Sequence, residues 1–211
     1  VASTKAYTSQ LLVFFMIGIK AASIKNNISD TKYHKMIKQL KELPGKVEEV
    51  LSNVSQIENI AKKIFKKNHC LFMSRGNNFP VALEGALKLK EISYIHAEGY
   101  PAAELKHGPI ALIDENMPVI VICSKSDEYE KILSNVMEIK ARKAIVVGIV
   151  DPKNFHMKNH FDYSIEVPNT SKDFSPIINQ IPLQLIAYFC AIYRGCDVDK
   201  PRNLAKSVTV E

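Results

Sequence analysis

The stretch CLFMSRGNNFPVALEGALKLKEISY, residues 70–94, decides the fold. A short apolar run, CLFMS, meets a polar turn holding one glycine, and Pro80 then opens a helical pattern that lasts to Tyr94. The alternation repeats downstream. PVIVICS starts at Pro118, a helical pattern covers residues 128–142, AIVVGIV starts at Ala144, YSIEVP starts at Tyr163, and an apolar helix covers residues 177–194. Strands that are apolar at consecutive positions are covered on both faces. The chain therefore reads as α/β: one parallel sheet flanked by helices on both faces. Ligands of such sheets bind beyond the carboxyl ends of the strands, the edge at which the helix after Ser74, Arg75 and Gly76 opens.

Upstream the pattern differs. Ser3 or Thr4 stands where it can cap a helix over residues 5–22, and Leu11, Leu12, Phe14, Phe15, Ile17 and Ile19 make that helix apolar nearly all round. Such a helix belongs inside something larger. Its longest apolar run, residues 11–19, falls short of the roughly twenty residues that span a bilayer, so it reads as a buried helix and not a membrane anchor. Residues 26–67 read as two or three connecting amphipathic helices, broken at NNISD and again at Pro44 and Gly45. The start, VASTKAYTSQ, has no signal-peptide pattern and looks cut from a longer protein, which would leave a site built across the cut incomplete.

The 211 residues carry a formal charge of +6, and the excess is local. Residues 1–70 hold twelve lysines against five acidic residues. Lys32, Lys35, Lys38, Lys41 and Lys46 recur at helical spacing without the aromatic or arginine-rich pattern of a base-reading surface, so a solvated helix face is expected and no nucleic-acid partner. Cys70, Cys123, Cys190 and Cys196 form no CxxC pair and stand near no histidine at ligand spacing. Reduced structural thiols, a cytoplasmic location and no metal site are the expectation.

The candidates for chemistry cluster in the deciding stretch and just after it. Glu84, Lys88 and Glu91 stand at i, i+4 and i+7, so all three project from one helix face. Spacing alone favours a solvated salt-bridge stripe. The competing reading is a carboxylate base tuned by a neighbouring ammonium in a partly dry pocket. Ala82, Leu83, Ala86, Leu87, Leu89 and Ile92 surround the helix, which requires some of its charges to point inward. His107, in LKHGP, reads as a loop histidine that is either merely exposed or a proton carrier. Lys206, among Leu204, Ala205, Ser207 and Val208 near the end, is a candidate amine nucleophile if desolvated. SRGNNFP reads as a turn, and no P-loop, dinucleotide fingerprint or nucleophile elbow is present.

Three blocks, VASTKA at the start, ALEGALKLKEISYIHAE with ELKHGP in the middle, and DVDKPRNLAKSVTVE at the end, resemble the isomerase half of the glutamine:fructose-6-phosphate aminotransferase family. The resemblance spans essentially the whole chain. It implies a sugar isomerase (SIS) type sheet and a parent with a glutaminase domain and a first SIS domain, both absent here. Residues 1–24 would be the last helix of that first domain, 25–60 a connector, 61–196 the second SIS domain and 197–211 a tail over the active site.

By the same resemblance, Lys206 forms an imine with open-chain fructose 6-phosphate, and Glu91 moves a proton between C1 and C2 on the way to glucosamine 6-phosphate. Lys88 assists at the C2 hydroxyl. His107 opens the sugar ring in the neighbouring subunit of a homodimer, and Val1, Ser3 and Ala205 line the sugar site. No cofactor, metal or membrane is implied. Ala103 departs from the glycine expected in many relatives but removes no functional group. The fragment alone should be inactive, lacking the main phosphate-binding loop. The rival expectation is a non-catalytic SIS module that senses a sugar phosphate.

Overall fold

The computed structural model describes residues 2–124, 129–152 and 158–204. Three helices lead the chain: α1 (Thr4–Ile24), α2 (Asp30–Ser52) and α3 (Val54–Ile64). The sheet domain follows as β1 (His69–Ser74), α4 (Phe79–Ser93), β2 (His96–Pro101), β3 (Val119–Ile122), α5 (Tyr129–Lys140), β4 (Val146–Val150), β5 (Tyr163–Glu166) and α6 (Ser175–Tyr193). All five strands are parallel, in the order β2-β1-β3-β4-β5.

The apolar strands divide their side chains between two cores, as a sheet covered on both faces requires. Phe72, Ile120, Ile122, Val147 and Ile149 point to the side of α3, α4 and α6. Leu71, Met73, Val119, Val121 and Val146 point to the side of α5, with Ile132, Val136 and Ile139. α6 is the central strut: it lies against α1, α2, α3 and α4 and is buried along most of its length. At the carboxyl edge, where the strand order switches between β1 and β3, Asn78, Ser124 and Asn179 bond to one another.

Three sequence expectations are corrected. Pro44 and Gly45 do not break α2, which runs through both and ends at Ser52. Leu43 and Val50 hold its apolar face against the core, so packing outweighs the one hydrogen bond that Pro44 removes. Lys32, Lys35, Lys38 and Lys41 are exposed, as a solvated face requires, while Lys46 reaches the Asn169 carbonyl at 2.6 Å. Second, HAEGYP is an edge strand that the sequence reading passed over, because Glu, Gly and Pro all disfavour strands.

The third correction concerns α1. Ser3 stands at its N-cap with a left-handed φ of 47° and does not cap it through its side chain. Within this chain α1 is not buried. Only Ile19 is, while Val13, Phe14, Met16 and Ile17 are exposed, Phe14 by 71%. By length and composition alone both α1 and α6 could cross a bilayer, but α6 is spent in the core. The four cysteines are free, Cys70, Cys123 and Cys190 being buried, and burial pushes the Cys190 thiol up to about 12.

Gly99 on β2 shows how closely α4 crosses the sheet. A Cβ there would lie 2.8 Å from the Leu83 Cα, and a backbone neighbour cannot move aside. Gly99→Ala should therefore cost about 1–3 kcal/mol, the usual range for overpacking. Gly45 meets nothing within 4 Å, and Gly45→Ala should instead stabilise by about 0.5–1 kcal/mol. Urea denaturation of both variants checks the opposed signs.

Candidate functional site

α4 starts at the carboxyl edge of the sheet and runs back against the strands to the start of β2. Lys88 and Glu91 belong to its second half, so they stand toward the amino end of the strands. The carboxyl-edge position expected from the topology is thus not where the charged cluster lies.

The stripe itself is not solvated. Lys88 is 3% exposed. Its Nζ donates to Glu91 Oε2 at 2.6 Å and to the Ala2 carbonyl at 2.6 Å, and stands 3.5 Å from Glu84 Oε1. The first residues of the chain thus close over α4. Gln184 on α6 fixes them in place by donating to the Thr4 carbonyl and to Thr8 Oγ1, each at 3.3 Å. Burial pushes the Glu84 carboxyl above its ordinary value, Glu91's charge adds to that, and Lys88 opposes it. Burial, then the charge of Glu84, raises the Tyr7 phenol on α1. Glu84 is the cluster member that the candidate catalytic set omitted; its i, i+4 spacing to Lys88 was visible, its burial was not.

Glu91 is the member that meets solvent. It lines a cleft of about 490 Å³ together with Leu87, Tyr94, Arg202 and Leu204. The last described residues of the tail therefore already lie beside Glu91. Its Oε2 is engaged by Lys88, and no hydrogen bond among the described residues engages Oε1. Lys206, Ala205 and Val1 lie outside the described residues. Ser3 is adjacent to Ala2, and its left-handed backbone is the kind of strain that functional sites retain.

His107 is apart from this group. It ends a short 3-10 turn after β2 (Ala102–His107), its side chain is 71% exposed, and its Nδ1 lies 2.7 Å from Glu104 Oε2. No hydrogen bond among the described residues links it to Lys88 or Glu91. Among the described residues no group of three or more His, Cys, Asp or Glu could hold a metal ion.

The parallel sheet with helices on both faces, its charged cluster on the crossover helix, is an α/β domain of the SIS type, and residues 63–194 match the SIS domain family. The chain belongs to that family. All 211 residues align with the glutamine–fructose-6-phosphate aminotransferase (isomerizing) of Bacteroides thetaiotaomicron at 51% identity, and with that of Chlorobaculum tepidum at 52%. The chain spans 34% of the length of each, about a third. Among solved structures, the C-terminal domain of glucosamine-fructose-6-phosphate aminotransferase from Francisella tularensis superposes with a TM-score of 0.88 at 39% identity. That match covers 93% of this chain and 55% of the other.

Removing the central charge makes a signed prediction. In Lys88→Met the cation that opposes the burial of Glu84 is gone, so the Glu84 carboxyl is expected to rise further in pKa. A carboxyl raised on folding contributes stability at low pH that is lost as pH rises through its folded pKa. The loss relative to the parent, of order 3–5 kcal/mol for a broken buried pair, should be larger at pH 7.5 than at pH 5. Thermal melts at the two values check it.

Proposed function

We propose that the chain is the isomerase part of a glutamine:fructose-6-phosphate aminotransferase and carries the steps that turn fructose 6-phosphate into glucosamine 6-phosphate, with ammonia drawn from glutamine. The observation that carries this reading is Lys88, buried between Glu84 and Glu91 and roofed by Ala2, with Glu91 open to the cleft that the tail enters. A module that only sensed a sugar phosphate would have no use for a desolvated lysine between two carboxylates.

In the proposed sequence, the Lys206 amine adds to C2 of the open-chain ketose and expels water as the imine forms. Ammonia then displaces the lysine, leaving the sugar with nitrogen at C2. Glu91 takes a proton from C1 while the nitrogen accepts the electron pair and a proton, and then returns its proton to C2 as the C1 hydroxyl gives up its own and becomes the aldehyde, giving the 2-amino aldose. Lys88 holds Glu91 in one orientation and moderates its charge. Val1, Ser3 and Ala205 line the sugar. His107, exposed and paired with Glu104, opens the ring in the neighbouring subunit of a homodimer, which fits its distance from the Lys88 group.

The domain division follows the same reading: residues 1–24 close a first SIS domain, 25–60 connect, 61–196 form the second SIS domain and 197–211 the tail. The exposed apolar side of α1 would be covered by that first domain, and the glutaminase domain would lie further upstream. Without them the chain is expected to be inactive. The location is cytoplasmic.

Full-length Glu91→Gln should lose about 10²–10⁴-fold in kcat, the scale of a missing general base, with KM for the sugar phosphate within a few-fold. Steady-state isomerisation assays measure it. Borohydride reduction in the presence of sugar phosphate should link sugar to Lys206, and a peptide map free of that adduct would sink the imine step.

A further inference from the structure

We infer that Tyr94 is a positioning residue that clamps the tail against the end of α4 and so sets where Lys206 can reach. This rests on the imine reading above. The Tyr94 hydroxyl accepts a hydrogen bond from the Arg202 backbone N–H at 2.7 Å. The Arg202 guanidinium lies over the Tyr94 ring, 4.1 Å from its centre. One side chain thus holds both the backbone and the head group of a single tail residue.

The backbone adds an independent observation. Tyr94 ends α4 with φ 60°, in the left-handed region where glycine or asparagine is the low-cost choice. A tyrosine is strained there, and nothing about stopping the helix requires one. Its side chain is what the position keeps. The strain is met by two contacts, both to the tail.

The placement couples the two proposed reacting groups. Tyr94 is three residues beyond Glu91, and Arg202 is four residues before Lys206. Four residues reach at most about 14 Å when fully extended. Arg202, Asn203 and Leu204 line the cleft with Glu91 and Tyr94, so a hold on Arg202 acts within that reach of the proposed Lys206 amine. The other ties near this end of the chain are less specific. Asp197 accepts from the backbone N–H groups of Asp199 and Lys200, which shapes a local turn without attaching it to α4. Cys196 donates its backbone N–H to the Ala191 carbonyl at 2.9 Å, Cys196 and Val198 pack against the core and Pro201 is buried, ties that hold the chain as far as Pro201 without gripping Arg202.

Tyr94→Gly tests the clamp, because glycine relieves the left-handed backbone while deleting both tail contacts. In the full-length enzyme its melting temperature should equal or exceed that of the parent. Trypsin, which resists the Lys200–Pro201 bond, should cut after Arg202 about tenfold faster or more, the scale of losing one hydrogen bond and one cation–π contact. Mass spectrometry reads this as peptides beginning at Asn203. The kcat of isomerisation should fall by about the same factor, with KM for the sugar phosphate changed less than kcat. Tyr94→Phe keeps the ring and should fall between, partly rescuing both readouts.

Parent-like cleavage and kcat in a folded Tyr94→Gly enzyme would overturn the inference. Should that variant melt early, the Phe variant decides: cleavage no faster than the parent's also overturns it. A Lys206→Met control separates this idea from the functional reading. If Lys206→Met still isomerises while Tyr94→Gly loosens the tail, the clamp stands and the imine reading fails. An inactive Lys206→Met beside an unaltered Tyr94→Gly gives the reverse.

Discussion

A buried ammonium cannot stand alone, and that constraint organises the proposed active site. Lys88 is taken out of water on a helix whose remaining inner face is apolar, so its three donors must be matched within reach. Glu91, Glu84 and the Ala2 carbonyl supply the matches, and each comes with a structural consequence. Glu91 is fixed in orientation, Glu84 is held as a partner at the cost of its own desolvation, and the beginning of α1 is drawn down onto α4. Two carboxylates around one lysine leave the cluster with a net negative charge.

The direction of α4 decides where this cluster sits. A crossover helix in a parallel sheet starts at the carboxyl edge and returns to the amino edge, so residues late in α4 cannot serve the usual crevice. At that crevice Asn78, Ser124 and Asn179 hydrogen-bond to one another. The charged face of α4 instead looks toward the leading helix and the tail, elements that lie outside the sheet. In the proposed reading, a site made this way depends on what the rest of a parent chain brings to it. The exposed apolar side of α1 agrees with that dependence.

The sheet was legible because its inner strands, CLFMS, PVIVICS and AIVVGIV, are short runs apolar at nearly every position, the pattern of strands buried on both faces. β2 was hidden because an edge strand is paired on one side and tolerates the Glu, Gly and Pro that erase the pattern. Pro44 misled in the opposite way, since a local rule lost to the packing of Leu43 and Val50. For the site, spacing placed Glu84, Lys88 and Glu91 on one face but could not say whether that face was wet. Burial against Ala2 answers it, and a contact 86 residues apart in sequence leaves no trace in helical periodicity. His107 and Lys206 stood out as residue types, but only the resemblance assigned them roles, because exposure and apolar neighbours are common in any loop.

The central claim is that the Glu84–Lys88–Glu91 group is a desolvated cluster rather than a surface stripe. Carboxyl ¹³C NMR titration of glutamate-labelled protein, with Glu84→Gln to assign the resonance, addresses it directly. The account predicts that Glu84 titrates above the ordinary glutamate value, because burial outweighs the attraction of Lys88. A Glu84 that titrates at or below that value would show a solvated pair, and would contradict the account.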